Sequence, residues 1–165
     1  MKKLGIWVLA VVLLLCGCEA TPVYETLSGV DLTGEHPVMK QMHFVLPEDA
    51  AVQTVSGSTG RIYLCDGYEI MAETFESGDL DKTLRNLTGF SRDALTIMRT
   101  KVDGVDSYSC AWTSVGENGE QVGRTVIFDD GGYHYCLSVT APVQNVLALQ
   151  PVFQELFDSF VLESD

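Results

Sequence analysis

The stretch that decides the fold is residues 105–140, VDSYSCAWTSVGENGEQVGRTVIFDDGGYHYCLSVT. Apolar and polar residues alternate along three runs of it, and short turns rich in Asp, Asn and Gly separate the runs. A period of two is typical of strands that bury one face, and Gly-containing turns of this length join antiparallel neighbours. With Ala94–Val102 and the turn Asp103-Gly104 before it, the stretch predicts a four-stranded antiparallel meander.

Three further strands are predicted before the meander. Met39–Leu46 reads as the first of them, since apolar and polar residues alternate over part of its length. Arg61–Cys65 and Tyr68–Phe75 flank Asp66-Gly67, a dipeptide typical of the two-residue type I′ turn. Both central residues of that turn have positive φ, which Asp and Gly tolerate better than most residues. These two strands are therefore predicted to form a hairpin.

Two segments show helical periodicity instead. In Asp79–Thr88, leucines recur three or four residues apart, with Ser77 or Asp79 as a capping residue and Gly89 as a stop signal. A second apolar stripe, which Pro151 should kink or divide, follows the meander. Its members are Val146, Leu149, Phe153, Leu156, Phe157 and Phe160. The order β-ββ-α-ββββ-α predicts an α+β domain over residues 37–165: one antiparallel sheet of six to seven strands flanked by two amphipathic helices.

The N-terminus has the organisation of an export signal. Lys2 and Lys3 precede an uncharged run, Leu4–Leu15, that would reach about 18 Å as a helix, short of the ~30 Å hydrocarbon core of a bilayer. The run ends in Leu15-Cys16-Gly17-Cys18. An aliphatic residue, two small residues and a cysteine in this order resemble the lipobox of bacterial lipoproteins.

That resemblance implies a processed and lipidated chain. Residues 1–17 would be a signal peptide that is cleaved off, and Cys18 would carry the lipid, while the polar residues up to 36 form a flexible tether. Two or three acyl chains anchor a protein stably, whereas one does so marginally. The implied location is extracytoplasmic, on the cell membrane, or on the outer membrane if the source is Gram-negative.

The element order also resembles the PsbP-like fold over roughly Met39–Leu162. The similarity rests on the sequence F-x-L-P at Phe44–Pro47, on the late meander, and on the closing helix that ends in Ser159-Phe160. Most members of that family are binding or assembly proteins without catalytic residues. The resemblance therefore implies a fold and a general kind of role, and no site residue is transferred from it.

Charge limits the kinds of partner. The chain has 23 acidic and 10 basic residues, a formal net charge of −13. Loss of Lys2 and Lys3 with the signal peptide would leave eight basic residues and a net charge of −15. A surface this negative repels nucleic acid and anionic headgroups, so no nucleic-acid partner is expected. Cationic partners or bound cations remain open, as does the alternative that the charge serves solubility alone.

Three cysteines lie outside the N-terminal segment: Cys65, Cys110 and Cys136. Their odd number and the lack of C-x-x-C spacing indicate neither a disulfide framework nor a zinc site. Cys110 and Cys136 are predicted on strands with one strand between them, about 9–10 Å apart, which is beyond the ~7 Å that a disulfide spans. We expect buried thiols.

Two groups of residues could carry chemistry or serve structural roles. His134 and Cys136, two residues apart on one strand, would point the same way and offer a nucleophile and a base for an extracytoplasmic hydrolase. The acidic turns offer carboxylates for a cation. No orienting third residue accompanies the first pair, and Asp is a favoured turn residue, so we expect no catalytic residues, no metal and no cofactor. The acidic positions are Asp66, Asp79, Asp81, Asp103, Asp106, Asp129 and Asp130.

Four aromatic residues of the meander are candidate ligand-binding residues: Tyr108, Trp112, Tyr133 and Tyr135. Aromatic residues on an antiparallel sheet more often belong to the core, so both roles stay open. The sequence favours a non-enzymatic accessory domain that binds an envelope protein or a small ligand. Such a domain should keep an apolar patch that its own helices do not cover.

Overall fold

The computed structural model of the chain describes residues 38–53, 60–116 and 119–163. The predicted signal peptide, the lipidation site Cys18 and the predicted tether lie outside these residues. Within the described ranges, no helix has both the length and the apolar character needed to cross a membrane.

The described residues form nine strands and two α-helices. The strands are β1 (Gln41–His43), β2 (Ala51–Gln53), β3 (Arg61–Cys65), β4 (Tyr68–Glu76), β5 (Ile97–Val102), β6 (Val105–Gly116), β7 (Gly119–Asp129), β8 (Tyr133–Pro142) and β9 (Val161–Glu163). The helices are α1 (Leu80–Thr88) and α2 (Val146–Asp158). A single 3₁₀ turn, Arg92–Ala94, lies between α1 and β5.

Seven strands form one antiparallel sheet in the order β2-β3-β4-β8-β7-β6-β5, and β1 and β9 pair separately. The run from β5 to β8 is the predicted meander. The β3–β4 hairpin joins it because β4 pairs with β8 along eight residues of each strand. The predicted α+β class, with a sheet of six to seven strands and two helices, is confirmed.

One face of the sheet is covered by α2, and we call it the α2 face. Four residues from the end of the chain, Phe153, Leu156, Phe157 and Phe160, pack there against a set of buried side chains from β3, β4, β7 and β8. That set is Tyr63, Tyr68, Ile70, Ala72, Phe128, Tyr135, Leu137, Val139 and Ala141. The predicted apolar stripe therefore anchors the helix as expected, with burial of each large side chain contributing roughly 1.5–3 kcal/mol.

The opposite face, the α1 face, carries a smaller core. Leu84 and Leu87 of α1 pack on Cys110, Ile127 and Cys136, with further half-buried apolar residues around them. Of the two capping residues that the sequence offers, Asp79 caps helix α1, because its carboxylate accepts a hydrogen bond from the Lys82 N–H. It ends at Gly89, whose φ of 79° is in the left-handed region.

The structure corrects the predicted first strand. Met39–Leu46 forms only the three-residue strand β1, and β1 pairs with β9, which was not predicted, rather than with the main sheet. The residues after it are held differently: the Val45 N–H donates to the Ser159 hydroxyl at 2.9 Å. The residues that follow β1 therefore lie beside the end of α2 and are not part of a strand.

The predicted turn type at Asp66-Gly67 is also wrong. Gly67 has a φ of 80°, but Asp66 does not have positive φ. Contacts from outside the hairpin hold this turn, since the Asp66 N–H donates to the Asp49 carboxylate and Asn145 donates to the Gly67 carbonyl. The type I′ signature occurs instead at Asp103 and Gly104, whose φ values are 50° and 85°.

Candidate functional site

His134 is enclosed between the sheet and α1. Its side chain projects from β8 onto the α1 face, and the residue is 1% exposed. Nδ1 lies 2.8 Å from the Thr83 hydroxyl of α1, and Nε2 lies 3.5 Å from an Asp129 carboxylate oxygen at the end of β7. The imidazole thus lies between a hydroxyl and a carboxylate, of which the Thr83 hydroxyl is buried with it whereas the Asp129 side chain is 24% exposed. Through the imidazole, helix α1 is connected with the end of strand β7.

Cys136 does not pair with the His134 imidazole. Its thiol is fully buried and donates a hydrogen bond to the His134 carbonyl at 3.6 Å. Burial raises the pKa of the Cys136 thiol well above its ordinary value, so the nucleophilic thiolate is disfavoured. The hydrolase hypothesis needed both side chains in an open cleft, and in that respect it is wrong.

The other cysteines agree with the expected spacing. Cys110 pairs with Thr125 of β7, and Cys136 pairs with Ile127 of the same strand, so β7 separates the two thiols. Cys110 is buried and Cys65 is half-buried, and burial is the main cause that raises the pKa of each. No disulfide joins these three cysteines.

The four candidate aromatic residues do not share a groove. Tyr108 and Trp112 lie on the α1 face, whereas Tyr133 and Tyr135 lie on the α2 face. The Trp112 indole covers Gly123 of β7, where the ring occupies the space a Cβ atom would need. These aromatic side chains are parts of two cores, so of the two roles that the sequence left open the structure supports the core role, and the four residues do not line one ligand groove.

Tyr135 is the most constrained of them. The ring is fully buried, and its hydroxyl donates to Asp130 at 3.0 Å and accepts the Lys40 N–H at 2.8 Å. Burial, opposed by the Lys40 N–H and reinforced by the Asp130 carboxylate, raises the pKa of Tyr135 to about 12. The hydrogen bond from the Lys40 N–H therefore connects the segment before β1 with strand β8 of the sheet.

Two of the acidic turns, Asp103–Asp106 and Asp129-Asp130, meet at one end of the sheet in a polar cleft of about 490 Å³, whereas Asp66, Asp79 and Asp81 do not line it. Its lining residues are Lys40, Lys101, Asp103, Gly104, Val105, Asp106, Asp129, Asp130 and Gly131. The carboxylates are engaged by their own turns and by nearby cations: Asp129 accepts the Gly131 N–H, and Asp130 accepts the Gly132 and Tyr133 N–H groups. In the described ranges, no three His, Cys, Asp or Glu side chains are arranged to hold a metal ion.

A second depression, the apolar groove, has a volume of about 360 Å³. It is lined by Met42, His43, Phe44, Val45, Leu46, Tyr63 and Ser159. The Phe44 ring is one of its lining side chains and makes edge-on contacts to Tyr63 at 6.2 Å and Phe160 at 6.4 Å between ring centroids. Val45 and Leu46 are 56% and 38% exposed. The helices therefore leave this part of the apolar surface open.

Further exposed apolar side chains lie on strands that pair with residues of the groove, or just before β1. Val161 pairs with His43 across β1 and β9, and Val52 pairs with Tyr63 across β2 and β3. Both valines are exposed, as are Val38 and Met39 immediately before β1. Sequence reasoning missed the groove because it assigned 39–46 to a strand. The dense apolar residues of Met42–Leu46, which do not alternate strictly with polar ones, were the available signal.

Comparison with known proteins gives the fold and no more. No family model matches the chain, and no curated protein matches it. Cyanobacterial PsbP (CyanoP) of Synechocystis sp. PCC 6803 is similar in structure, with a TM-score of 0.57 at 15% identity over 83% of this chain and 99% of that one. The fold is PsbP-like.

Two further solved structures share this architecture. LpqN of Mycobacterium tuberculosis, described as involved in cell envelope biogenesis, has a TM-score of 0.54 at 12% identity, over 78% of this chain and 86% of that one. A Bacteroides thetaiotaomicron structure has a TM-score of 0.52 at 12% identity, over 75% of this chain and 46% of that one. At such identities the likeness concerns the backbone, and site residues are not transferable.

Proposed function

We propose that this chain is an extracytoplasmic lipoprotein, held on a membrane by lipid on Cys18, whose folded domain binds another envelope protein through the apolar groove. The order of Lys2-Lys3, Leu4–Leu15 and the lipobox-like Leu15–Cys18 supports the anchored part of the proposal. The envelope-biogenesis role described for LpqN, which shares the fold, agrees with an accessory role.

The open apolar groove is the observation that carries the binding part. Val45 and Leu46, which line the groove with Phe44, are 56% and 38% exposed, whereas Phe153, Phe157 and Phe160 of the same chain are buried on the α2 face. Apolar area taken from water stabilises a complex by roughly 25 cal/mol per Å² before ordering costs. A partner that covers the groove would gain this energy, and the isolated domain does not.

The enclosure of the reactive side chains supports binding over hydrolysis. His134 and Cys136 are covered by α1, and the carboxylates of the polar cleft are engaged by turn N–H groups and lysines. A protein ligand for the groove needs no such groups. It needs apolar side chains that fit between the segment Met42–Leu46 and Ser159.

Binding is tested by placing a photo-crosslinking p-benzoylphenylalanine at Val45 in living cells. The control carries it at Leu147, an apolar position at the start of α2 that is 82% exposed, against 56% for Val45. We expect a discrete adduct with one envelope protein from position 45 only. The purified partner should then bind the Val45→Asp variant at least about tenfold more weakly, and Leu147→Asp normally. Adducts of the same partners from both positions would refute binding at the groove.

Anchoring is tested separately. Radioactive palmitate should label the wild-type chain and fail to label Cys18→Ser, and the variant should leave the membrane fraction. Cys16→Ser is the control, since it removes a neighbouring thiol and keeps a small residue in the lipobox. Labelling of the Cys18→Ser chain would contradict lipidation at this position and leave the groove experiment unaffected.

A further inference from the structure

Strand β5 forms an uncovered edge of the main sheet. It pairs with β6 on one side, from Ile97↔Cys110 to Val102↔Val105 without interruption. No other strand of the described ranges pairs with its outer side. All of its residues after Ile97 are exposed, with Met98 at 64%. The opposite edge, β2, offers only three residues.

The turn that follows β5 fixes which backbone groups face outward. Asp103 and Gly104 form a two-residue turn with positive φ at both positions, so the flanking residues Val102 and Val105 are a hydrogen-bonded pair. Hydrogen-bonded and non-hydrogen-bonded pairs alternate along an antiparallel ladder. The N–H and C=O groups of Arg99 and Lys101 are therefore directed away from β6, where another strand could bind them.

The side chains of β5 divide into a cationic side and an apolar side. Arg99 and Lys101 lie 2.8 and 3.2 Å from the two carboxylate oxygens of Asp106, so two cations share one anion. Met98 and Val102 are exposed on the other side of the strand. An edge with this pattern offers backbone hydrogen bonds, positive charge and apolar contact to one extended segment.

A second copy of the chain is a poor occupant of this edge. Antiparallel pairing of β5 with its own copy would place the Arg99 and Lys101 side chains of both copies against each other. Like charges opposite one another on a sheet are destabilising. An acidic segment would instead place its carboxylates beside the Arg99 and Lys101 side chains, which remain 62% and 68% exposed although Asp106 contacts both and Lys101 also lines the polar cleft with Asp103, Asp129 and Asp130.

We infer that β5 binds an extended segment of another polypeptide by strand addition, with acidic residues at alternate positions beside Arg99 and Lys101. The intervening apolar residues of that segment contact Met98 and Val102. The site is independent of the apolar groove, because different strands form the two. The segment lies in register with β5 and extends the sheet by one strand.

The probe is a capped, fluorescently labelled octapeptide of alternating glutamate and valine, added to the full chain in mild detergent. The comparison peptide has lysine for glutamate. We expect the glutamate peptide to bind at least about tenfold more tightly by fluorescence anisotropy, with an affinity that falls as salt rises. Hydrogen exchange at the amides of Arg99 and Lys101 should slow when it binds, because these amides gain acceptors.

Two variants that each remove two positive charges complete the experiment. R99Q/K101Q should weaken binding of the glutamate peptide about tenfold. The control R61Q/K82Q changes exposed cations of β3 and α1 and should bind normally. Circular dichroism melting identifies a folding defect, and in that case R99Q alone is used.

Three results would overturn the inference. The first is equal affinity for the two peptides, and the second is no binding of either, as expected if the cations merely guard the edge against pairing. The third is slowed exchange in β5 that depends on protein concentration and needs no peptide, which would assign the edge to a second copy.

Discussion

At the scale of single residues, polar side chains buried in the sheet form contacts that connect different parts of the fold. The His134 imidazole connects Thr83 of α1 with Asp129 of β7, and the Tyr135 hydroxyl connects Asp130 with the Lys40 N–H. Buried polar atoms destabilise a fold unless they are hydrogen-bonded, and here the contacts Thr83–His134 and Lys40–Tyr135 join residues that are 51 and 95 positions apart in the sequence. The histidine that seemed a candidate base in the sequence is thus a structural residue by geometry.

His134→Ala should lower the free energy of unfolding by about 2–4 kcal/mol. The substitution leaves a cavity under α1 and removes the partner of the buried Thr83 hydroxyl. Urea unfolding at neutral pH measures the change. The control is His43→Ala, since His43 is exposed in β1 and contacts only the exposed Glu163 carboxylate among the described ion pairs. A loss below about 0.5 kcal/mol at His134, equal to that of the control, would contradict this role.

At the scale of secondary-structure elements, the sequence predicted what local pattern determines. The hairpin β3–β4, the meander and both helices follow from periodicity and turn residues, and their observed bounds differ by only a few residues. The largest such difference is at the start of β5, where a 3₁₀ turn at Arg92–Ala94 replaces the expected beginning of the strand. The sequence pattern predicted an earlier start because Leu95 and Ile97 are both apolar, but only Ile97 pairs with a residue of β6.

Elements that depend on distant partners were not predictable. Strands β2 and β9 have three residues each and no fully buried position, so nothing in their local sequence distinguishes them from a loop. Strand β9 exists because β1, more than a hundred residues earlier, pairs with it. The apolar groove was missed for the same reason, because its walls come from Met42–Leu46, Tyr63 and Ser159.

Pro151→Ala should stabilise the chain by about 1–3 kcal/mol. Helix α2 runs through Pro151 without interruption, and the proline is exposed. It has no N–H to donate within the helix, and its ring clashes with the preceding turn, whereas Ala favours helix. Thermal unfolding should show a higher Tm. Gln154→Ala, an exposed substitution in the same helix, should change stability by a few tenths of a kcal/mol, and an equal effect at both positions would count against the explanation.

At the scale of the whole molecule, two electrostatic effects oppose each other in acid. The formal net charge of −13 causes self-repulsion, which protonation relieves. Several carboxylates are also bound to specific partners. The pKa of Asp106 is lowered by the Arg99 guanidinium and then Lys101, and that of Asp81 by the Arg92 N–H and then Arg85. At physiological salt the repulsion is screened beyond about 8 Å, whereas bonds at contact distance are screened much less.

We therefore expect stability to decrease as the pH falls below about 4 at physiological salt. Asp130 illustrates why stability falls, and does not rise, as the pH decreases. Burial opposes its ionisation, but N–H groups of Tyr133 and Gly132 and the Tyr135 hydroxyl together hold its pKa below the ordinary value of 3.8. The folded state then binds the Asp130 proton less tightly than the unfolded state does. The stabilisation is complete above 3.8 and is lost as the pH falls from there through the folded-state pKa.

Asp130→Asn tests this balance through the difference between variant and wild type. Urea unfolding at neutral pH should show the variant less stable, because the amide replaces a charged acceptor of the Tyr135 hydroxyl and of the turn N–H groups. Below the ordinary carboxyl pKa, that difference should shrink, because the wild-type carboxyl is then losing its charge as well. Asp93→Asn, in the exposed turn before β5, is the matched control. If the Asp130 difference stayed constant with pH, the Asp130 pKa would be the same in the folded and unfolded states, and stabilisation by its ionised form would be refuted.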